Sequence, residues 1–573
     1  MIEPEKITPV EQNKLDSRYL RGTLKESLAA DTTHFTKNEG LLLKFHGTYE
    51  QDDRDQRQEL LKNKKEPAYS MMIRSKIPGG VMTSEQYLVH DELSEKYGNQ
   101  TLRITTRQAF QFHGILKRNM KAVIRGVNEK LVTTSGACGD IVRNVMAWPA
   151  PSFEPWQTEI HRYAREISDL FLMQGGAYHE IWLDGEKLEF DSPEKAEPIY
   201  GALYLPRKFK IGMSGVWDNG VDVYTHDLGI VPEVSGDKLT GFNILVGGGF
   251  GTTHGVKTTY PRLGSPLCFV KPEELLDISK AIVITQRDLG NRKERKNARL
   301  KYTIDAMGLD KFRDEVEKRF GKKTEKPRVL QLSKVDFYHG WRKQLQGTWC
   351  YGLFVENGRV KDQGDFRLKS ALREICKELK PMVYLTPAQD LMLAGLSESQ
   401  KKSLESILEK YGVAKAEDYS LIRKSSMACP ALPTCGLAIS ESERVLPSVM
   451  TQLENAMAET GIEDTSIIVR MTGCPNGCAR PYNAEIAFIG KTAGTHNVYV
   501  GGSHLGDRLV YLLAEKVQPD QLAATLKPLF AEYKKSGKSG ESFGDFCDRL
   551  GPDEARKVAG AVVTEKETWA VRG

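Results

Sequence analysis

LRITTRQAFQFHGI at residues 102–115 and VYLTPAQDLMLAGL at 383–396 align without a gap. They share Thr105/Thr386, Gln108/Gln389 and Gly114/Gly395. In each, apolar runs flank a polar turn, the pattern of strand, turn, strand. Ahead of the first copy, MIRSKIPGGV (72–81) reads as a strand ending in a Pro-Gly-Gly turn; WCYGLFVENGRV (349–360) resembles it ahead of the second. A helix pattern lies between the partners in both places. The first runs from Thr83 to Tyr97, with Thr83 or Ser84 as cap; the second is of the FRLKSALREICKEL type. Further on, FNILVGGG (242–249) lines up with HNVYVGGS (496–503). Four paired blocks in one order predict a duplicated α+β fold with halves related by a pseudo-two-fold. Chance matching of short strand-turn patterns is the competing explanation, because each block alone is weak. The charged stretch KRFGKKTEKPR (318–328) marks the boundary between the copies. The expected layout is an arm over 1–64, a half-domain over 65–150 and a larger domain over 151–330. A second half-domain over 331–422 and a second larger domain over 423–573 follow. The arm reads as extended chain with one short helix. A crevice walled by two such halves is a favoured cofactor site.

A chain of 573 residues can fill several cores without metal or disulfides. At 40% hydrophobic and 27% charged it falls in the globular range. No run approaches ~18 apolar residues, so no membrane span is expected. The opening MIEPEKITPVEQNKLD lacks an apolar signal region, so a cytoplasmic location is expected. Net charge is +5, from 81 basic against 76 acidic side chains, too mild for a nucleic-acid binder. No convincing nucleotide fingerprint is present. GGGFGTTHG (247–255) lacks the spacing that opens a helix and reads as a tight turn near a cofactor.

Four of the nine cysteines stand together: Cys429 and Cys435 in CPALPTC, then Cys474 and Cys478 in CPNGC. The Pro- and Gly-rich flanks suit loops that wrap a ligand and turn free N–H groups toward sulfur. Four thiolates can hold an iron–sulfur cluster or close a zinc site, and unliganded core cysteines are a third option. Five residues separate the first pair, wider than compact zinc knuckles use, which favours the cluster. The remaining five, Cys138, Cys268, Cys350, Cys376 and Cys547, read as buried free thiols. Basic residues recur at strand ends: Arg74, Arg103, Arg107, Arg143, Lys208 and Lys210. Lys208 and Lys210 are two apart, so on a strand they share a face and repel unless an anion lies between them. For each alone, a solvated surface charge is the plain alternative. RKERKNARLKY (292–302) reads as an amphipathic helix with a basic face, solvated in the first reading and touching an anionic cofactor or partner in the second.

CPALPTC and CPNGC, with TTRQAFQFHG, RKFK, RNV and SRYLRGTLKESL…FHGTYEQDDRD, closely resemble the sirohaem sulfite and nitrite reductase superfamily. The likeness covers nearly the whole chain and points to haemoprotein (beta) subunits of the assimilatory, NADPH-linked sulfite branch. It implies ferredoxin-like half-domains at 65–150 and 331–422. It also implies sirohaem-binding domains at 151–330 and 423–573, the latter holding the cluster, with cofactors at the interface. Cys429, Cys435, Cys474 and Cys478 would bind one [4Fe–4S] cluster, and Cys478 would also be the axial ligand of the sirohaem iron. Arg103, Arg107, Gln111 and Asn476 would contact the macrocycle, with Arg299 or Lys301 as a further carboxylate contact. Arg74, Arg143, Lys208 and Lys210 would hold sulfite, and the lysines, or water ordered by them, would supply protons. The implied reaction is six-electron reduction of sulfite to sulfide. The implied donor is a flavoprotein (alpha) subunit, so NADPH acts only indirectly. GACGD (136–140) also resembles the ferredoxin-linked branch, which keeps ferredoxin open as donor. A sirohaem nitrite reductase is the nearest alternative, and the two-lysine pattern favours sulfite. A zinc-stabilised protein that binds a polyanion is the rival from another class.

Overall fold

The structure, a computed structural model, describes residues 7–174, 181–183, 186–188 and 197–564. Thr83 caps the helix Ser84–Tyr97 through a capping box with Gln86, as its side chain and spacing require. That helix packs on a small antiparallel sheet ordered Thr48–Asp52, Tyr69–Arg74, Phe110–Ile115, Leu102–Ile104. The second copy repeats it as Gly340–Lys343, Trp349–Leu353, Leu391–Leu396, Met382–Leu385.

Each small sheet is completed by a strand from the other copy. Arg359–Val360 pairs with Leu102–Ile104, and Val81–Met82 pairs with Met382–Leu385. Val360 stands opposite Leu102 and Met82 opposite Val383, which are equivalent places in the two copies. The turns delivering these strands need glycine. Gly80 (φ +74°) and Gly358 (φ +71°) have positive φ. A Cβ on either would come 2.4 Å from a carbonyl of the opposite copy, that of Leu385 or Ile104. Gln108 and Gln389 also share left-handed backbone; the Gln108 amide donates to the Leu385 carbonyl at 3.0 Å and the Gln389 amide to the Ile104 carbonyl at 3.5 Å. The duplication is thus an interlock of two halves.

The two larger sheets share one plan. The first runs Ser265–Val270, Lys238–Val246, Leu228–Ser235, Ile211–Met213, Met146–Ala147. The second runs Tyr511–Val517, Thr495–Val500, Ile486–Thr492, Val469–Thr472, Ser426–Ala428. In both, the last three strands are parallel and the others antiparallel. One apolar core runs through both small sheets and the first large one; another fills the last sheet and its helices.

Two expectations change. The segment up to residue 64 is not an extended arm with one short helix. Four short helices, Pro9–Asp16, Leu24–Ala29, Lys37–Leu43 and Arg54–Lys62, occupy it, and Leu20, Leu24, Phe35, Leu42, Leu43 and Phe45 enter the main core. Its Thr48–Asp52 is an edge strand of the first small sheet, because apolar residues among the charges need burial. The stretch 292–302 is not a solvated amphipathic helix either. It splits at Arg295–Asn297, and Arg292 and Arg295 turn inward to Glu11 and Asp140. The boundary stretch 318–328 is partly docked: Phe269 pairs with Glu325 as an isolated bridge, and the Arg328 guanidinium lies 3.5 Å over the Phe269 ring.

Candidate cofactor and anion site

Cys429 directly follows Ser426–Ala428, and Cys474 stands two residues past Val469–Thr472, its parallel neighbour. Loops leaving the carboxyl ends of adjacent parallel strands form a natural ligand crevice. Cys429 and Cys474 are buried, Cys435 is half-buried and Cys478 is exposed. The Gly473 N–H donates to Cys429 Sγ at 3.4 Å, and Asn476 Nδ2 donates to Cys474 Sγ at 3.5 Å. Burial and the neighbouring Cys478 push the Cys429 thiol up, and that of Cys474 up to about 11. Thiols so placed become thiolates only beside a metal centre that supplies positive charge. Among the described residues, no three His, Cys, Asp or Glu side chains converge tightly enough for a single ion. Four thiols on two neighbouring loops, with five residues between the first pair, suit an iron–sulfur cluster.

Cations face this crevice from the first copy. Lys208 and Lys210 are half-buried, just before Ile211–Met213, and both lie within electrostatic reach of Cys478. Burial, then repulsion from Arg207 and Arg299, brings Lys208 down to about 7. Burial, Lys208 and Arg107 hold Lys210 well below the usual lysine range. Arg143 is 8% exposed; its Nε donates to the Gly139 carbonyl at 2.8 Å, and the Tyr49 phenol bonds it from the other side. Arg74 Nη1 lies 3.1 Å from Cys138 Sγ. Arg107 donates to the Ile211 and Asn144 carbonyls and lies 3.4 Å from His226 Nδ1. The Nε groups of Arg74 and Arg107 are buried without a partner. Unpaired N–H groups on clustered cations fit an anionic ligand beside the thiols.

Other expected contacts take different partners. Arg103 is turned inward: Nε donates to Glu443 at 2.9 Å and Nη2 to the Ala428 carbonyl at 2.8 Å. Arg299 forms a two-point pair with Asp227, at 3.0 and 2.7 Å. Lys301 donates to the carbonyls of Gly249, Gly251 and Tyr260, so its ammonium protons are all committed within the chain. Gln111 stands opposite Arg74 and Arg103 in the sheet, and its amide reaches Met72 Sδ at 3.4 Å. The loop 247–255 meets the cysteine loop: the Thr252 N–H and hydroxyl donate to the Pro475 carbonyl at 3.1 and 3.0 Å.

Sequence reading missed Arg480 and Asp222. Arg480 donates to the carbonyls of Thr106 at 2.8 Å and Pro387 at 2.9 Å, equivalent positions in the two copies, and pairs with Asp222. It locks the cysteine loop to both half-domains at once. The only sequence signal is R-P two residues past Cys478, which by itself is a common turn.

A model of the nitrite and sulphite reductase 4Fe-4S domain matches residues 164–324. A model of the nitrite/sulfite reductase ferredoxin-like half domain matches twice, at 63–130 and 342–411. The "Sulfite reductase [NADPH] hemoprotein beta-component" of Staphylococcus haemolyticus is 47% identical over 548 residues, 96% of either chain. The protein of the same description from Anoxybacillus flavithermus is 47% identical over 544 residues, 95% of either chain. Among solved structures, Mycobacterium tuberculosis NirA shares the fold: TM-score 0.78, 21% identity, 96% of this chain and 98% of that one. Matching half-domains in both copies, and relatives alike from end to end, place this chain in the nitrite and sulphite reductase family.

Proposed function

We propose that this chain is the haemoprotein subunit of an NADPH-dependent sulfite reductase. It takes sulfite, six electrons and six protons to sulfide and three waters. One observation carries this reading: Lys208 and Lys210 lie within electrostatic reach of Cys478 in the four-thiol loop, and Arg74, Arg107 and Arg143 cluster with them. Near-full-length identity to curated sulfite reductase subunits supports it. Cys429, Cys435, Cys474 and Cys478 would hold a [4Fe–4S] cluster, and Cys478 would also hold the sirohaem iron. When bound, these groups supply the electron storage and transfer that no side chain can perform.

The chain supplies field, orientation and protons. Arg107 and Gln111 would contact the macrocycle, and Asn476 would support the thiolate loop. Arg74, Arg143, Lys208 and Lys210 draw in the sulfite dianion and hold its oxygens. Lys208, brought down to about 7, can give up a proton near neutral pH as oxygen leaves as water. Two lysines two residues apart suit a doubly charged oxyanion better than singly charged nitrite. Electrons come from a partner protein, a flavoprotein subunit that takes them from NADPH. Among the described residues no helix is long and apolar enough to cross a membrane.

A visible spectrum and a dye-driven assay test the reading. Purified protein should show a Soret band, a long-wavelength macrocycle band and acid-labile sulfide. Its kcat/KM should favour sulfite over nitrite. Colourless protein carrying one zinc would overturn the reading, and a ratio favouring nitrite would replace the substrate. Turnover with ferredoxin but not with an NADPH flavoprotein would replace the donor.

A further inference from the structure

The two exchanged strands are alike in backbone and unlike in chemistry. Where Val81–Met82 meets the second small sheet, the facing residues are Tyr384 and Val383, with no charge on either side. Where Arg359–Val360 meets the first, Arg359 stands directly opposite Arg103. Two guanidinium groups side by side in a sheet repel unless an anion joins them. Glu443 is that anion. Its carboxylate accepts from Arg103 Nε at 2.9 Å and from Arg359 Nε and Nη2 at 2.6 and 3.0 Å.

Glu443 belongs to the segment that leaves the first cysteine pair, and its backbone reaches back to it. Its N–H donates to the Cys429 carbonyl at 3.1 Å, and its own carbonyl accepts from Asn357 Nδ2 at 3.0 Å. Arg103 grips the other side of the same cysteine through the Ala428 carbonyl at 2.8 Å. Both peptide groups flanking Cys429 are therefore held by this cluster of charges. Arg103 is 2% exposed, so its charge is poorly screened.

We propose that Glu443, Arg103 and Arg359 form a positioning clamp that fixes Cys429 across the exchanged strand and sets the net charge beside the iron–sulfur cluster. This rests on the cluster assignment above. The three side chains sum to one positive charge. Glu443→Gln leaves two, which favours the more negative reduced cluster. Arg359→Gln leaves none, which favours the oxidised cluster. A purely structural clamp would not produce opposite signs, since both substitutions break the same contact.

The test is redox titration of the cluster in the purified holoprotein, followed by electron paramagnetic resonance, with iron content measured alongside. Glu443→Gln should shift the midpoint potential upward and Arg359→Gln downward from wild type. Shifts in one direction, or none, overturn the proposal. If the Gln variants lose iron, Glu443→Asp and Arg359→Lys carry the test. Iron restored near wild-type content supports the clamp, and iron still lost overturns it. Wild-type protein without a cluster would instead overturn the function proposed above.

Discussion

The two large sheets end in two crevices of the same design, and only one of them carries thiols. MACPAL (427–432) holds Cys429; MAWPAP (146–151) holds Trp148 at the matching place, after the matching strand. VRMTGCPNGC (469–478) holds Cys474 and Cys478; IGMSGVWDNG (211–220) has Val216 and Gly220 there. Cys429 donates its N–H to the Met471 carbonyl at 3.2 Å, and Trp148 donates its own to Met213 at 2.9 Å. The backbones agree, yet the second crevice is filled. The Trp148 ring lies 5.2 Å from Trp156 in a stack, and its Nε1 donates to Asp218 at 3.2 Å and to the Tyr338 hydroxyl. The work is divided: one copy contributes Lys208 and Lys210, the other the cysteines. A fold offers a place for chemistry, and the loop residues decide whether it is used.

The sharpest way to break this comparison is Cys478→Ser against Gly220→Ser. The first should lose sirohaem and iron together, with activity, measured by pigment extraction and iron assay. The second should keep both. Full iron, pigment and activity in Cys478→Ser would refute the shared ligand. Next, Lys208→Met should spare the cofactor spectrum but lower kcat/KM for sulfite by ~10²–10³, as loss of one oxyanion-holding cation does. Ser466→Ala, at the matching place of the other copy, should leave the rate within about twofold. Trp148→Ala should then cost roughly 3–5 kcal/mol in urea unfolding, the price of emptying a filled crevice, with iron content unchanged. The smallest effect is on pH dependence. In the proposed role Lys208 attracts sulfite only when protonated, and its site holds it below the usual lysine range. Charge is therefore present at low pH and lost as pH rises, so kcat/KM should fall by about tenfold per unit above this group's pKa. Lys208→Arg should move that limb upward, because guanidinium keeps its proton. An unmoved limb would assign it to another group.

The comparison was only half visible along the chain. Gln108/Gln389 and Gly114/Gly395 exposed the duplication because turns need special residues, and those persist in both copies. The matching of MAWPAP with MACPAL went unread, since Trp148 and Cys429, the residues that distinguish the two loops, differ. Arg103 looked like an open cation in LRITTRQ, and its short-range context holds nothing to say otherwise. Its partner is Glu443, 340 residues away.

The thiol quartet, the pair Lys208 and Lys210 and the repeated turns follow from the sequence alone. Each depends on spacing of a few residues, and short spacing constrains local geometry directly. Only the tertiary structure decided that the halves trade strands. It alone placed Arg480 between Thr106 and Pro387, and Glu443 between two arginines. Those partners meet through packing of distant segments, where burial leaves a charge no water to turn to and makes its nearest neighbour decisive.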